Sequence, residues 1–265
     1  MSSNWLRPVA DTGLMISPVG FGTVKLGRNE QVKYPTAFDI PDDAKARELL
    51  ALARDLGINL LDTAPAYGTS EERLGSLIKG QRDHWVICTK VGEEFENGQS
   101  RFDFTPEHIR FSIERSLKRL KTDYLDMVLV HSDGNDCDIL ERYGCLEVLN
   151  DLKKAGLIRA TGMSTKTVDG GIRTLQQADC AMVTWNLNEQ GEKAVLDYAA
   201  QQGKSILVKK ALASGHLVTG SDPVQQSMDF VFGHPGVTSA ILGTINPTHM
   251  RQNIIAAQWA SLVNG

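Results

Sequence analysis

Four polar residues stand where a reaction on a carbonyl group would need them. Asp62 closes the run LLD, Tyr67 follows in APAYG, Lys90 closes VICTK and His131 closes MVLVH. Reducing a carbonyl takes a hydride donor and a proton donor for the oxygen on which negative charge develops. A free phenol, with a pKa near ~10, is a reluctant acid or base near neutrality, but a neighbouring ammonium favours its ionised form. Lys90 can do this for Tyr67, Asp62 can hold that ammonium and compensate its burial, and His131 can add a donor that orients the oxygen. Tyr67 is then the general acid in reduction and the general base in oxidation. Each residue also has an ordinary structural explanation: a helix-start carboxylate, a half-buried aromatic, a snorkelling lysine, a rim histidine. What joins them is that all four close, or directly follow, short apolar runs.

Those runs define the elements that must position the four. Strand-like segments are predicted at residues 19–22, 58–63, 85–90, 124–131, 158–164, 180–186, 205–210 and 238–243, with helical patterns between them. Ile109, Ile113, Leu117 and Leu120 share one helix face by their spacing of four, four and three. Thr105-Pro106, Asp222-Pro223 and Asn246-Pro247 each place a capping side chain before a proline at the first helical position. Thr69 and Glu72 have capping-box spacing, and Gly57 and Gly203 follow helical runs as left-handed caps. Alternating strands and helices predict a parallel sheet, and eight of them within 265 residues predict a closed (β/α)8 TIM barrel spanning 1–265 as one domain. In such a barrel the carboxyl ends of the strands share one face, so Asp62, Lys90 and His131 converge. The longer connections at 25–41, 92–104 and 132–140 gather at that face. The acidic one, with Glu93, Glu94, Glu96 and Asp103, reads as a solvated charged loop.

Composition excludes several other classes. The net charge of −4 with scattered basic residues argues against nucleic acid, which needs a concentrated Lys/Arg footprint. No stretch reaches the ~18 consecutive apolar residues of a membrane span, and no signal-peptide pattern opens the chain, so a soluble, cytoplasmic protein is expected. Cys88, Cys137, Cys145 and Cys180 lack CxxC spacing, which speaks against a zinc site or a disulfide framework.

The segments LLDTAPAYG, VICTK and MVLVHS resemble the Asp, Tyr, Lys and His tetrad of the aldo-keto reductase superfamily, in matching order and strand context. Further similarity lies in GFGT at the first strand, GMST at the fifth, KKALASG at the seventh and ILGTINPTHMRQN at the eighth. The resemblance covers nearly the whole chain. It implies a barrel that binds an extended nicotinamide dinucleotide without a Rossmann domain. The sequence agrees, since Gly20-Phe21-Gly22 runs on to Lys25 where a dinucleotide fingerprint needs glycine. By resemblance, Gly22 and Thr23 border the cofactor, Ser164 and Thr165 hold the nicotinamide carboxamide, and Lys210, Leu212 and Ser214 line the pyrophosphate. Gly243, Thr244, His249, Gln252 and Asn253 surround the adenosine phosphate and adenine. Independently, Asn246-Pro247 begins a helix whose exposed N–H groups favour a phosphate.

Three positions depart from the commonest family pattern. Thr165 stands where an asparagine is usual, a glutamine near Met182 is absent, and Lys209 replaces an aromatic that stacks on nicotinamide. A lysine there can instead approach the pyrophosphate or the substrate. The expectation is an NADPH-dependent carbonyl reductase acting on a small aldehyde or ketone, with NADH as the second choice of cofactor and a monomer or weak homo-oligomer as the assembly. The short stretch after the last helical pattern predicts an open substrate site. Two rivals accompany this reading. One is a cofactor-binding regulatory or partner protein on the same barrel, and the other is a lyase or isomerase using Lys90 for a Schiff base.

Overall fold

Continuous apolar runs form strands buried on both faces, and here eight of them close on themselves. In a computed structural model that describes residues 5–32, 34–215 and 221–264, the strands are β1 (Val19–Gly22), β2 (Leu60–Asp62), β3 (Val86–Val91), β4 (Leu125–His131), β5 (Ile158–Ser164), β6 (Cys180–Thr184), β7 (Ser205–Lys209) and β8 (Val237–Leu242). They are parallel and hydrogen-bonded in sequence order, and β8 returns to β1 through Ala240 opposite Val19. All eight predicted segments are strands. The second begins later than predicted because Asn59 is used elsewhere: its side chain accepts from Ser17 N and donates to Met15 O, tying down the hairpin of Arg7–Pro8 and Met15–Ile16. The sixth stops at Thr184 because the Asn186 side chain turns the chain, accepting from Asn188 N and Glu189 N.

Strand periodicity sorts the core into two layers. Met127 and Leu129 of β4 pack inward with Leu60, Cys88, Ala160, Met182 and Leu207, and the N-terminal hairpin adds Val9, Leu14 and Ile16 to this inner cluster. Val128 and Val130 pack outward in the larger layer between strands and helices.

The helices are α1 (Asp43–Asp55), α2 (Ser70–Leu77), α3 (Pro106–Leu120), α4 (Asp136–Tyr143), α5 (Cys145–Lys154), α6 (Val168–Gln177), α7 (Lys193–Gln202), α8 (Pro223–Phe232) and α9 (Pro247–Asn264). Ile109, Ile113 and Leu120 of α3 are buried, with Leu117 packed against them. Thr105 accepts from His108 N, Asp222 from Gln225 N, and Asn246 from Thr248 N and His249 N, so the three predicted proline-led caps form. The capping box does not. Thr69 makes no side-chain cap bond, and Glu72 instead pairs with Arg119 of α3 at 3.2 Å. Among the described residues, no helix is long and apolar enough to cross a membrane.

Candidate active site

Asp62 and His131 are the last residues of β2 and β4, and Lys90 is the penultimate residue of β3. Parallel register therefore brings them to one rim. Tyr67 ends a one-turn 3-10 helix, Pro65–Tyr67, directly after β2. A neighbouring one-turn helix, Val24–Gly27, packs its bare Gly27 backbone on this turn: a Cβ there would lie 2.4 Å from Tyr67 O and 2.2 Å from Ser70 N.

Lys90 is the hub. Its Nζ donates to Asp62 Oδ1 at 2.6 Å, to Thr63 O at 3.0 Å and to Tyr67 Oη at 3.1 Å, spending all three ammonium protons. Tyr67 Oη lies 3.4 Å from Asp62 Oδ2 as a donor, and its ring meets the His131 ring edge-on with centroids 6.4 Å apart. Burial acts most strongly, to strip the charge from Lys90, but the adjoining Asp62 carboxylate, Tyr67 and Cys88 together prevail and raise the pKa. Tyr67 moves against expectation. Lys90 does favour its ionised form, but burial and the Asp62 charge prevail, so the phenol is held protonated above its ordinary range. It is a donor, not a ready base.

The four residues line one cavity of about 520 Å³. Gly22, Ser164, Lys209, Lys210, Leu212, Ser214, Gly243, Thr244, His249, Gln252 and Asn253 line it as well. Register explains part of this grouping: Ser164 pairs with His131 on one side and Met182 on the other, and Thr184 pairs with Lys209. Thr23 and Thr165 do not line the cavity. The Thr23 hydroxyl donates to Asp62 O at 2.8 Å and sits 2.8 Å from Ser70 Oγ, tying β1 to β2. Thr165 is fully buried, with its amide on Met182 O and its carbonyl accepting from Lys209 Nζ at 2.6 Å. Lys209 also donates to Ser164 Oγ at 3.0 Å. Its pKa falls to about 8, chiefly through burial. The start of α9 faces the cavity through His249, Gln252 and Asn253, but the amides of Thr248 and His249 are already taken by the Asn246 cap. The phosphate site expected there thus has fewer free donors than the bare helix start implied.

Two features escaped sequence reasoning. The connection after β1 was expected at this face, but not its wall residues Lys25, Tyr34, Pro35 and Thr36. Lys25 Nζ lies 3.9 Å from the Tyr34 ring centroid and 4.8 Å from that of Phe38, a cation–π contact that folds the segment over. The second is the acidic connection, which is not a solvated loop. It forms a hairpin, Glu93–Glu96 against Gln99–Phe102, that carries Glu93 Oε2 to within 2.7 Å of His131 Nδ1. Glu94 turns away to Arg115 and His108. The available signal was Asn97-Gly98, a two-residue hairpin turn whose residues both take positive φ.

With this geometry established, the sequence pattern of the Aldo/keto reductase family matches residues 18–228. The chain belongs to the aldo/keto reductase family. A crystal structure of a Pseudomonas aeruginosa protein classed with the aldo-keto reductases is 58% identical, superimposes with a TM-score of 0.89, and the match covers 97% of this chain and 96% of that one. Aldo-keto reductase YhdN of Bacillus subtilis is 35% identical over 80% of this chain, which spans 63% of that protein's length. L-galactose dehydrogenase of Arabidopsis thaliana is 32% identical over 82% of this chain and 68% of its own. Within an aldo/keto reductase barrel, the Asp62, Tyr67, Lys90 and His131 cluster sits on the rim where strands 2 to 4 end, and the family match contains all four.

Proposed function

We propose that this aldo/keto reductase is an NADPH-dependent carbonyl reductase that converts a small aldehyde or ketone to the alcohol. Tyr67 is the proton donor, and Lys90, Asp62 and His131 are its partners. The observation that carries the reading is the three-way contact among Asp62, Lys90 and Tyr67 at the bottom of the cavity. A protonated phenol whose oxygen accepts from the Lys90 ammonium is a polarised donor for a developing alkoxide, while Lys90 spends its own protons on Asp62, Thr63 and Tyr67. Lys90 is not a Schiff-base nucleophile in this arrangement, because an amine needs a free lone pair and Asp62 keeps it protonated.

The residues present suit a nicotinamide dinucleotide, which supplies the hydride when bound. Ser164 and Lys209 offer donors beside His131, where a carboxamide would be read, and Lys25 and Lys210 supply cations along the wall for a pyrophosphate. This cationic lining suits either cofactor, since both carry the pyrophosphate, and the choice of NADPH over NADH is left to the titration below. Relatives named as a reductase and a dehydrogenase are compatible with chemistry in either direction.

Tyr67→Phe tests the reading. Turnover should fall by about 10²- to 10⁴-fold, the usual worth of a positioned acid, while NADPH titration gives an unchanged Kd. Unchanged turnover would overturn the role of Tyr67. Tighter binding of NADH than of NADPH would overturn the cofactor choice alone.

A further inference from the structure

Four lysines among the described residues line the cavity, and they differ in what neutralises them. Lys90 is paired with Asp62 at 2.6 Å and Lys210 with Glu189 at 3.4 Å. Lys25 lies over the rings of Tyr34 and Phe38. Lys209 instead donates to two neutral acceptors, Ser164 Oγ at 3.0 Å and Thr165 O at 2.6 Å, and among the described residues no carboxylate forms an ion pair with it. Those two bonds hold the ammonium at the end of β5, one strand from His131, which pairs with Ser164. An ammonium has three protons, so one is left for a ligand or water.

On the reading that a nicotinamide dinucleotide binds in this cavity, chemistry limits where its ring can lie. A hydride must reach the carbonyl carbon while Tyr67 protonates the oxygen, so the ring belongs at the reactive end. Tyr67, Lys90 and His131 bound that end from the side of β2 to β4, and Ser164, Met182 and Lys209 from the side of β5 to β7. The two forms of the ring differ by one charge: the reduced ring is neutral, and the ring left when a hydride departs is cationic. A cation fixed beside it repels the oxidised form alone. We propose that Lys209 is a binding residue that distinguishes the two forms, its ammonium charge holding the reduced dinucleotide in preference to the oxidised one. The overall equilibrium between carbonyl and alcohol is untouched, and only the relative affinities of the two cofactor forms change.

The groups around Lys209 leave its charge in place at neutral pH. Burial lowers its pKa to about 8, while Glu192, just before α7, and Asp136, at the start of α4, act to keep the proton, and Lys166 and Lys210 to remove it. Both carboxylates are engaged elsewhere: Glu192 accepts from Thr184 N at 2.8 Å, and Asp136 from Lys166 N at 2.9 Å and Thr167 N at 2.7 Å. His131 on β4 is held below the ordinary histidine range, chiefly by burial, and Tyr67 is held protonated. Neither changes charge near pH 8. Burial also lowers the Lys25 pKa and raises that of Glu192, and whatever these two contribute persists in a variant without Lys209. The discrimination due to Lys209 is therefore present below its midpoint and lost above it.

The test is isothermal titration calorimetry of the full chain with NADP⁺ and with NADPH, in the absence of any carbonyl or alcohol, for the wild type, Lys209→Met and Lys209→Arg. At pH 7 the ratio of the NADP⁺ Kd to the NADPH Kd should be about 10-fold higher in the wild type than in Lys209→Met, or about 30 mV in the two-electron potential of the bound cofactor. Lys209→Arg keeps the charge and should keep the raised ratio. In the wild type the ratio should fall as pH rises through about 8, a step that both variants lack. Equal ratios in the wild type and Lys209→Met would overturn the proposal. So would a ratio in Lys209→Arg as low as in Lys209→Met, which would assign the effect to shape instead of charge. Should the variants not fold, the wild-type step decides it alone, and its absence counts against Lys209. Binding of both forms with a ratio indifferent to Lys209 leaves the reductase reading standing and removes only this role. Failure of the wild type to bind either form removes both.

Discussion

Lys209 donates to the Ser164 hydroxyl at 3.0 Å, linking the ends of β7 and β5 through a buried ammonium. It also donates to Thr165 O, and among the described residues no acidic side chain forms an ion pair with it. Glu192 and Asp136 act on it from farther off, as do the like charges of Lys166 and Lys210. A buried cation whose partners are neutral is poised to take an acceptor or an anion from a ligand.

The first prediction concerns pH and the cofactor. Burial lowers the Lys209 pKa from 10.5 to about 8, so the group is charged below that value and neutral above it. If the ammonium helps hold the nicotinamide dinucleotide, affinity is highest below pH 8 and declines as pH rises through 8. A charge-assisted hydrogen bond is worth roughly 1.5–3 kcal/mol, or about 10- to 100-fold in Kd. Lys209→Met should lose that factor at pH 7 and give a flat profile. Stability runs in the opposite direction. The folded pKa lies below the unfolded one, so the wild type gains stability relative to Lys209→Met as pH rises from about 8 toward 10.5. Equal Kd values for the two proteins at pH 7 would remove Lys209 from the binding site.

The second concerns the buried pair of Asp62 and Lys90, whose side chains are 4% and 1% exposed. Removing one partner leaves the other as an uncompensated buried charge, at a cost of about 3–5 kcal/mol. Asp62→Asn and Lys90→Met should each lower the urea midpoint accordingly. The double variant should be much more stable than the sum of the two losses predicts, because neither charge is then stranded. Additive losses in a double-mutant cycle would mean that the two groups are uncoupled.

Much of this site was legible because its residues end apolar runs. Asp62 follows two buried strand residues, Lys90 and His131 each follow three or more, and such runs mark strand ends well. Glu93 was not legible in the same way. Two residues beyond β3 its charge looks like any loop carboxylate, and only the turn at Asn97-Gly98 folds it back toward His131. The sense of the Tyr67 shift was also hidden. Sequence places the Lys90 charge near the phenol, but it cannot weigh that charge against burial and Asp62, and those two prevail. Thr23 and Thr165 were expected at the cofactor from the family resemblance. Each stands one residue past the end of its strand, fully buried, and neither lines the cavity.

The third prediction tests whether the placement of Tyr67 depends on the missing side chain at Gly27. A Cβ at Gly27 would stand 2.2 Å from Ser70 N, 2.4 Å from Tyr67 O and 2.7 Å from Ser70 Cα. All three are backbone atoms, so no rotamer change relieves the clash, and Gly27→Ala must push the one-turn helix and the Tyr67 turn apart. Overpacking of this kind costs about 1–3 kcal/mol. The displacement also acts on Tyr67 Oη, whose 3.1 Å contact with Lys90 tolerates little movement, and misplacement by about 1 Å can cost roughly 10²-fold in rate. Gly27→Ala should therefore lose both stability and kcat. Gly80 supplies the control: it has φ +76 and nothing within 4 Å of an added Cβ. Gly80→Ala carries the backbone penalty of a left-handed alanine, about 1 kcal/mol, with no path to Tyr67. Its melting temperature should fall while kcat holds. Equal kcat in the two variants would show that Gly27 serves stability alone.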